Sequence, residues 1–105
     1  MKPKPLSEKQ FMAQVVQLAR LCGWLVYHTY DSRRCVAGFP DLVLCHPGRS
    51  VVIFAELKRD SKKRPTPEQQ RWLSALATTG NLATCWTPAD WESIQATLQG
   101  RSTHA

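Results

Sequence analysis

The residues best suited to chemistry are two carboxylates and a lysine in or beside apolar segments. Asp41 begins the apolar run 41–45. Glu56 lies inside the run 51–57, and Lys58 follows it by two positions. Side chains alternate across a strand, so Glu56 and Lys58 share one face if this run is a strand. Burying a charge is costly, and a carboxylate inside such a run therefore indicates a functional role.

The segment between the two runs predicts how the carboxylates are placed. Residues 46–49 are His-Pro-Gly-Arg, and a short break with Pro and Gly between apolar runs is typical of a hairpin. A turn centred between Gly48 and Arg49 leaves Asp41 and Glu56 equally far from it. They then become cross-strand neighbours with Cβ atoms about 5 Å apart. A one-residue bulge would break this alignment.

A carboxylate pair of this kind needs a positive charge beside it. At ~4 Å and an effective dielectric of ~20, the two groups repel each other by about 4 kcal/mol. Lys58 alone can offset this repulsion, but Mg²⁺ or Mn²⁺ suits oxygen ligands with room for water better. Such an ion lowers the pKa of a bound water and stabilises charge on a phosphodiester, with Lys58 orienting the water or helping to deprotonate it. The alternative is an ordinary ion pair, since the E-x-K pattern is short and common.

The composition describes one small basic domain. The chain has 105 residues and a net charge of +6, and a chain of this size forms a single modest core. The charge is uneven, because residues 1–65 carry +7 and residues 66–105 carry −1. A positive surface favours a polyanionic partner, although many classes of protein share it.

Several other classes of protein are disfavoured. No apolar run approaches the ~18 residues that span a bilayer, and the N-terminus lacks the apolar core of a secretory signal. The cysteines form no C-x-x-C pair, and the histidines offer no zinc-finger spacing. We therefore predict a cytoplasmic protein with reduced thiols, no zinc and no membrane partner. The four cysteines are Cys22, Cys35, Cys45 and Cys85.

The remaining pattern predicts an α/β fold. Ser7 with Gln10, and Thr66 with Gln69, form capping-box patterns that begin helices. The elements alternate in the order α-β-β-β-α-β-α, and a hairpin followed by a helix and a returning strand implies a mixed sheet with helices on its faces. They are a helix ending at Gly23, strands 24–30, 41–45 and 51–57, a helix over 66–79, a strand 82–86, and a helix from Thr87 to about Gly100.

The core motif resembles a known nuclease superfamily. Residues 38–43 (GFPDLV) followed by residues 55–58 (AELK) are similar to the PD-(D/E)xK nucleases, and more narrowly to the small stand-alone form of the VRR-NUC (virus-type replication–repair nuclease) family. Segments before and after the motif agree in order, namely 7–11, 21–24, 27–34, 66–73 and 86–91. The resemblance implies a restriction-endonuclease-like mixed β-sheet flanked by helices. We predict a single nuclease domain over 7–100, a basic tail at 1–6 and a C-terminal tail at 101–105.

The resemblance also implies the roles of individual residues. Asp41, Glu56 and the backbone carbonyl of Leu57 are the expected ligands of Mg²⁺ or Mn²⁺, and Lys58 is expected to assist the attacking water. Gln69 matches a glutamine that the family places near the site, and its alternative role is the capping box.

The first helix and the basic residues are the less determined parts of the site. Superfamily members often have a supporting Glu on the first helix, which Glu8 supplies, although Glu8 also suits the helix dipole and Gln14 is the alternative. The basic residues either contact DNA phosphates or form a solvated loop. They are Arg33, Arg34, Lys62, Lys63 and Arg64.

The resulting hypothesis is a metal-dependent DNA endonuclease selective for branched DNA, such as Holliday junctions or flaps. It would act in DNA repair, recombination or phage replication, in the cytoplasm of a bacterium or phage-infected host cell. The resemblance implies a homodimer, and we also consider a helicase partner. One alternative is a DNA-binding module that keeps the fold without efficient catalysis. A structural domain for protein interaction, with an incidental E-x-K pair, is another.

Overall fold

The elements follow the chain in the predicted α-β-β-β-α-β-α order. The computed structural model describes residues 6–29 and 36–101. Its helices and strands are α1 (Glu8–Leu21), β1 (Leu25–His28), β2 (Leu42–His46), β3 (Val51–Leu57), α2 (Pro67–Thr78), β4 (Leu82–Trp86) and α3 (Trp91–Gln99). None of the helices in these ranges is long and apolar enough to cross a membrane. The predicted α/β fold is confirmed.

The first two helices begin at the predicted capping boxes. The Ser7 hydroxyl accepts a hydrogen bond from the Gln10 N–H at 3.0 Å, and the Gln10 side chain accepts one from the Ser7 N–H at 2.9 Å. Thr66 and Gln69 repeat this exchange at the start of α2. Backbone N–H groups without a partner inside the helix are thereby satisfied, which fixes where each helix starts.

The last helix begins later than predicted. Residues Pro88–Asp90 form a 3₁₀ turn, and α3 starts at Trp91 instead of continuing from Thr87. The Asp90 carboxylate accepts hydrogen bonds from the Thr87 N–H at 2.9 Å and the Thr87 hydroxyl at 3.1 Å. These bonds span three residues and hold the segment in the tighter turn.

The four strands form one mixed sheet in the order β1-β2-β3-β4. The pairs β1–β2 and β2–β3 are antiparallel, and the pair β3–β4 is parallel. Because side chains alternate, one face of β2 and β3 is apolar and packs against α1 and α3. The buried side chains of this core include Phe11, Val15, Ala19, Leu42, Leu44, Ile53, Ala55, Leu57, Ile94 and Leu98.

The β2–β3 hairpin has the predicted centre. Leu44 pairs with Ile53 and Leu42 with Ala55, which is the register of a turn centred between residues 48 and 49. The connection is a 3₁₀ turn over Pro47–Arg49, followed by Ser50 in the left-handed region with a φ of 56°. The register holds without a bulge, so both strands keep their apolar side chains on the core face.

An arginine in this turn ties the hairpin to the end of α3. The Arg49 guanidinium donates to the Leu98 carbonyl at 2.9 Å and lies 4.7 Å from the ring centre of Trp24. The Trp24 indole N–H donates to the same carbonyl at 2.9 Å. A cation and an indole therefore satisfy a helix-end carbonyl that α3 cannot bond internally.

The segment before β2 is held against α2 by a close backbone approach. Gly38 has a φ of +90°, and a Cβ there would lie 2.5 Å from the backbone C and O of Glu68. The next residue, Phe39, packs edge-on against Phe54 at 6.2 Å and Trp72 at 5.1 Å between ring centres. Phe54 lies on the face opposite the α1–α3 core, so α2 covers that second face. Residues 38–40 therefore determine how the chain enters β2.

Gly38→Ala is expected to lower the free energy of unfolding by about 1–3 kcal/mol more than Gly80→Ala, because overpacking against fixed atoms costs that much. Gly80 is the matched control: its φ is +91°, but nothing lies within 4 Å of a Cβ placed there. Both variants therefore carry the same left-handed strain, and only Gly38→Ala adds the collision with α2. Equilibrium urea unfolding measures the difference, and equal losses would show that the contact with α2 is dispensable.

Candidate active site

Asp41 and Glu56 lie opposite each other at the end of the β2–β3 hairpin. Leu42 pairs with Ala55, and the same register continued by one residue aligns the two acids, as the hairpin predicts. Asp41 precedes β2, and its Oδ2 accepts a hydrogen bond from the Leu57 N–H at 2.9 Å. The Asp41 carboxylate therefore takes the place of a further β2 residue beside β3.

Glu56 is buried, with 2% of its surface exposed. Its Oε2 is one of two buried side-chain atoms without a hydrogen-bond partner in the described part of the chain. Burial, a hydrogen bond with Asp41 and the Asp41 charge together raise the pKa of Glu56 to about 9. Without a metal ion beside it, this carboxyl therefore holds a proton at neutral pH.

Lys58 is fixed by the neighbouring strand. Its backbone N–H donates to the Trp86 carbonyl at 2.9 Å, which continues the β3–β4 pairing beyond the end of β3. Lys58 comes two positions after Glu56, so its side chain lies on the same face of the sheet as the Glu56 side chain. Its positive charge lowers the pKa of Glu56, opposing the effect of burial. The three residues that the sequence singled out are therefore brought together.

Of the two first-helix candidates, Glu8 is the one placed near this site. Its negative charge raises the pKa of Glu56, and its side chain lines a groove together with Lys58. Gln14 is exposed and lies six residues further along α1, which is about 9 Å along the helix axis.

A neighbour that the sequence did not reveal is Cys85 on β4. The parallel register pairs it with Glu56, so the two side chains lie on the same face of the sheet. Burial, followed by the Glu56 charge, raises the pKa of the Cys85 thiol. A hairpin turn gives its own register, but no local signal aligns two parallel strands joined by a helix, so this neighbour was not predictable.

The other candidates are more dispersed. The Gln69 side chain is engaged in the capping box of α2, which was the alternative to a role at the site. Lys62, Lys63 and Arg64 are exposed in the segment after β3. Arg33 and Arg34 lie outside the described residues.

Comparison with known proteins then identifies the family. The sequence model of the VRR-NUC domain family matches residues 4–87 of this chain. The chain belongs to the VRR-NUC family. No sequence among curated proteins matches it.

Two solved structures share the fold of this VRR-NUC chain. One described as "VRR_NUC domain" has a TM-score of 0.69 and 24% identity, and the match covers 83% of this chain and 91% of that one. Another, "VRR_NUC domain protein", has a TM-score of 0.65 and 21% identity, with 91% and 88% covered. The VRR-NUC domain has a nuclease-type fold, which implies DNA as the substrate, and nucleases of the family generally depend on a divalent metal.

The side chains fit such a metal in their chemistry. Within residues 6–29 and 36–101, no group of three or more His, Cys, Asp and Glu side chains forms a set of metal ligands. A cation at a VRR-NUC site here would depend on two carboxylates, Asp41 and Glu56, together with backbone oxygen. The unpartnered Oε2 of Glu56 is a free oxygen donor, and Mg²⁺ or Mn²⁺ prefers oxygen. A cation would also offset the cost of placing two acids side by side.

Glu56 is expected to make the metal-free protein less stable as the pH rises. Its folded pKa of about 9 lies above its ordinary value, so over roughly pH 5 to 9 the folded state holds a proton that the unfolded chain has lost. The free energy of unfolding then decreases with pH, by at most about 1.4 kcal/mol per unit. Glu56→Gln removes this titration, and its stability in that range should depend less on pH.

Urea unfolding in EDTA at several pH values measures both curves. Glu92→Gln is the control, because Glu92 is an exposed acid on α3, and its curve should follow that of the wild type. A Glu56→Gln curve parallel to the wild type would contradict the raised pKa.

Proposed function

We propose that this protein is a Mg²⁺- or Mn²⁺-dependent DNA endonuclease that hydrolyses phosphodiester bonds. The observation that carries the proposal is the carboxylate pair of buried Glu56 and half-buried Asp41, with one Glu56 oxygen lacking a partner and Lys58 beside it. A buried carboxylate beside a second acid is unfavourable for stability, and a cation-binding role gives a reason for its presence.

Asp41 and Glu56 would hold the metal, together with the backbone carbonyl of Leu57. The Leu57 N–H bonds the Asp41 carboxylate, and on a strand a residue's N–H and C=O point to the same side. The Leu57 carbonyl is therefore directed toward the side of β3 that Asp41 occupies, just before β2 begins. When bound, the metal supplies an activated water and stabilises negative charge on the phosphodiester.

The chain's own residues would prepare this chemistry. The Leu57 N–H orients Asp41 through its hydrogen bond. Lys58 would orient the attacking water or help to deprotonate it, and it offsets part of the negative charge of the acids. Glu8 would support the metal from α1. For Gln69 we propose a position near the site in addition to its capping bond.

DNA would be held through its backbone, which supports selectivity for shape over sequence. The exposed residues Lys62, Lys63 and Arg64, together with Arg33 and Arg34, would contact phosphates. We propose branched DNA, such as four-way junctions or flaps, as the substrate, in repair, recombination or phage replication. A homodimer would present two sites to such a substrate, and a helicase partner would deliver it. The single domain over 7–100 and a cytoplasmic location complete the proposal.

One observation favours a second function. A protonated Glu56 can hydrogen-bond to Asp41 without a metal, as expected of a DNA-binding module without efficient catalysis. Such a module would bind DNA equally well with and without a chelator.

Asp41→Asn and Lys58→Met are expected to reduce cleavage at least about 100-fold, the usual effect of losing a group that acts in the chemical step. Asn keeps an oxygen that accepts the Leu57 N–H, so the fold should persist. The assay follows nicking of duplex, flap and four-way-junction DNA with Mg²⁺, Mn²⁺ or EDTA.

Arg20→Met is the control, because Arg20 is exposed in the last turn of α1; it should cut like the wild type. Cleavage by Asp41→Asn at the wild-type rate would refute the site. Metal-independent binding by a wild type that cuts nothing would favour the module.

A further inference from the structure

An open groove lies beside the candidate active site, between the start of α1 and the segment after β3. Its volume is about 430 Å³, and it is lined by Ser7, Glu8, Lys58, Arg59 and Lys63. Arg59 is not part of the sequence motif, and nothing in the resemblance assigns it a role. The groove brings together two parts of the chain that are some fifty residues apart.

The charges in the groove favour an anion. Three of its lining side chains are cationic, and Glu8 is the single acid among them. Arg59 forms an ion pair with Asp60 at 3.8 Å, but both side chains are about half exposed, and an exposed pair of this kind is weak. The guanidinium therefore remains available to a phosphate, which it can bind through two parallel hydrogen bonds.

The start of α1 is not the source of this preference. The capping box already uses the Ser7 hydroxyl and the N–H of Gln10. An anion in the groove would therefore be held by its three cationic side chains, and its binding should change with each of them.

The segment that carries these cations is ordered by a side chain of its own. The Asp60 carboxylate accepts hydrogen bonds from the N–H of Lys62 at 2.8 Å and of Lys63 at 3.2 Å. The Lys63 N–H also approaches the Asp60 carbonyl at 3.2 Å. These bonds close a turn and bring Lys63 to the groove, so less ordering entropy is lost when an anion binds.

The groove begins at the active site itself. Lys58 lines it and stands two strand positions after Glu56, a distance of about 7 Å. Successive phosphates of one DNA strand advance by about 3.4 Å along the helix axis. An anion in the groove would therefore be one or two phosphates along the same strand from one placed at the carboxylates.

We propose that this groove is a backbone subsite for the DNA strand being cut, in which Arg59 and Lys63 bind a phosphodiester one or two positions along the strand from the reacting one. The inference rests on the proposed function and deepens it, because it gives the path of the DNA past the carboxylates. Arg59 and Lys63 act here as substrate-binding residues that hold the strand equally in the ground state and the transition state, so their loss weakens binding without slowing the chemical step.

The test measures binding without cleavage. The full chain is titrated with fluorescent duplex DNA in EDTA at several salt concentrations. Arg59→Ala and Lys63→Ala should each reduce the slope of log K against log salt by about 0.9, the value for one phosphate contact. Lys9→Ala is the matched control, since Lys9 is exposed beside Glu8 on α1 and is not among the lining residues; its slope should stay at the wild-type value. Glu8→Gln should tighten binding, because it removes the acid from the groove.

Cleavage separates failure of the subsite from failure of the enzyme. With Mg²⁺, the Arg59 and Lys63 variants should raise the DNA concentration for half-maximal rate and leave the rate at saturation unchanged. Slopes equal to that of Lys9→Ala would overturn the subsite even where Asp41→Asn abolishes cleavage. Cleavage by Asp41→Asn at the wild-type rate would instead overturn the proposed function on which the subsite rests.

Discussion

The pairing of the buried acid Glu56 with Asp41 is the constraint on which the rest of the structure depends. Burial of Glu56, and then the neighbouring Asp41 carboxylate, raise the pKa of Glu56. Their alignment requires a hairpin register without a bulge. A shift of one residue would move Glu56 to the core face and the apolar side chains out of it. Packing of the core therefore selects the same register as the site.

The residues before Asp41 act through packing. Gly38 permits the close approach to α2, Phe39 contacts aromatic rings on α2 and β3, and Pro40 is fully buried. Together they fix the path of the chain into β2, so the Asp41 carboxylate reaches the Leu57 N–H without a β2 residue in between. Of the four residues 38–41, the first three position the chain, and Asp41 supplies the carboxylate.

Local signals in the sequence are enough to predict the elements and the carboxylate pair. The capping boxes give the helix starts, and the four-residue connection of the hairpin gives its register. Contacts between distant segments were not predictable, because they depend on how α2 directs β4 back to the sheet and how α1 crosses it. Cys85 beside Glu56 arises in this way. Glu8 at the groove with Lys58 was expected only from the family resemblance, and no local signal in the sequence indicates it. The start of α3 was missed for another reason, namely that the Asp90 side chain favours a tighter turn than the pattern indicates.

The separation of charges in the structure resolves a conflict in the composition. A polyanion is attracted to a chain of net charge +6, but the acids that would hold a metal repel it at close range. In this fold Glu56 is buried in the sheet with Asp41 half-buried beside it, and the cations Arg59, Lys62 and Lys63 stand on the exposed segment that leaves β3. In the proposed function, long-range attraction would act through the exposed cations, and the two acids would meet only a phosphate that these cations already hold. Lys58 is half-buried. Its charge acts on Glu56, and its side chain also lines the cationic groove.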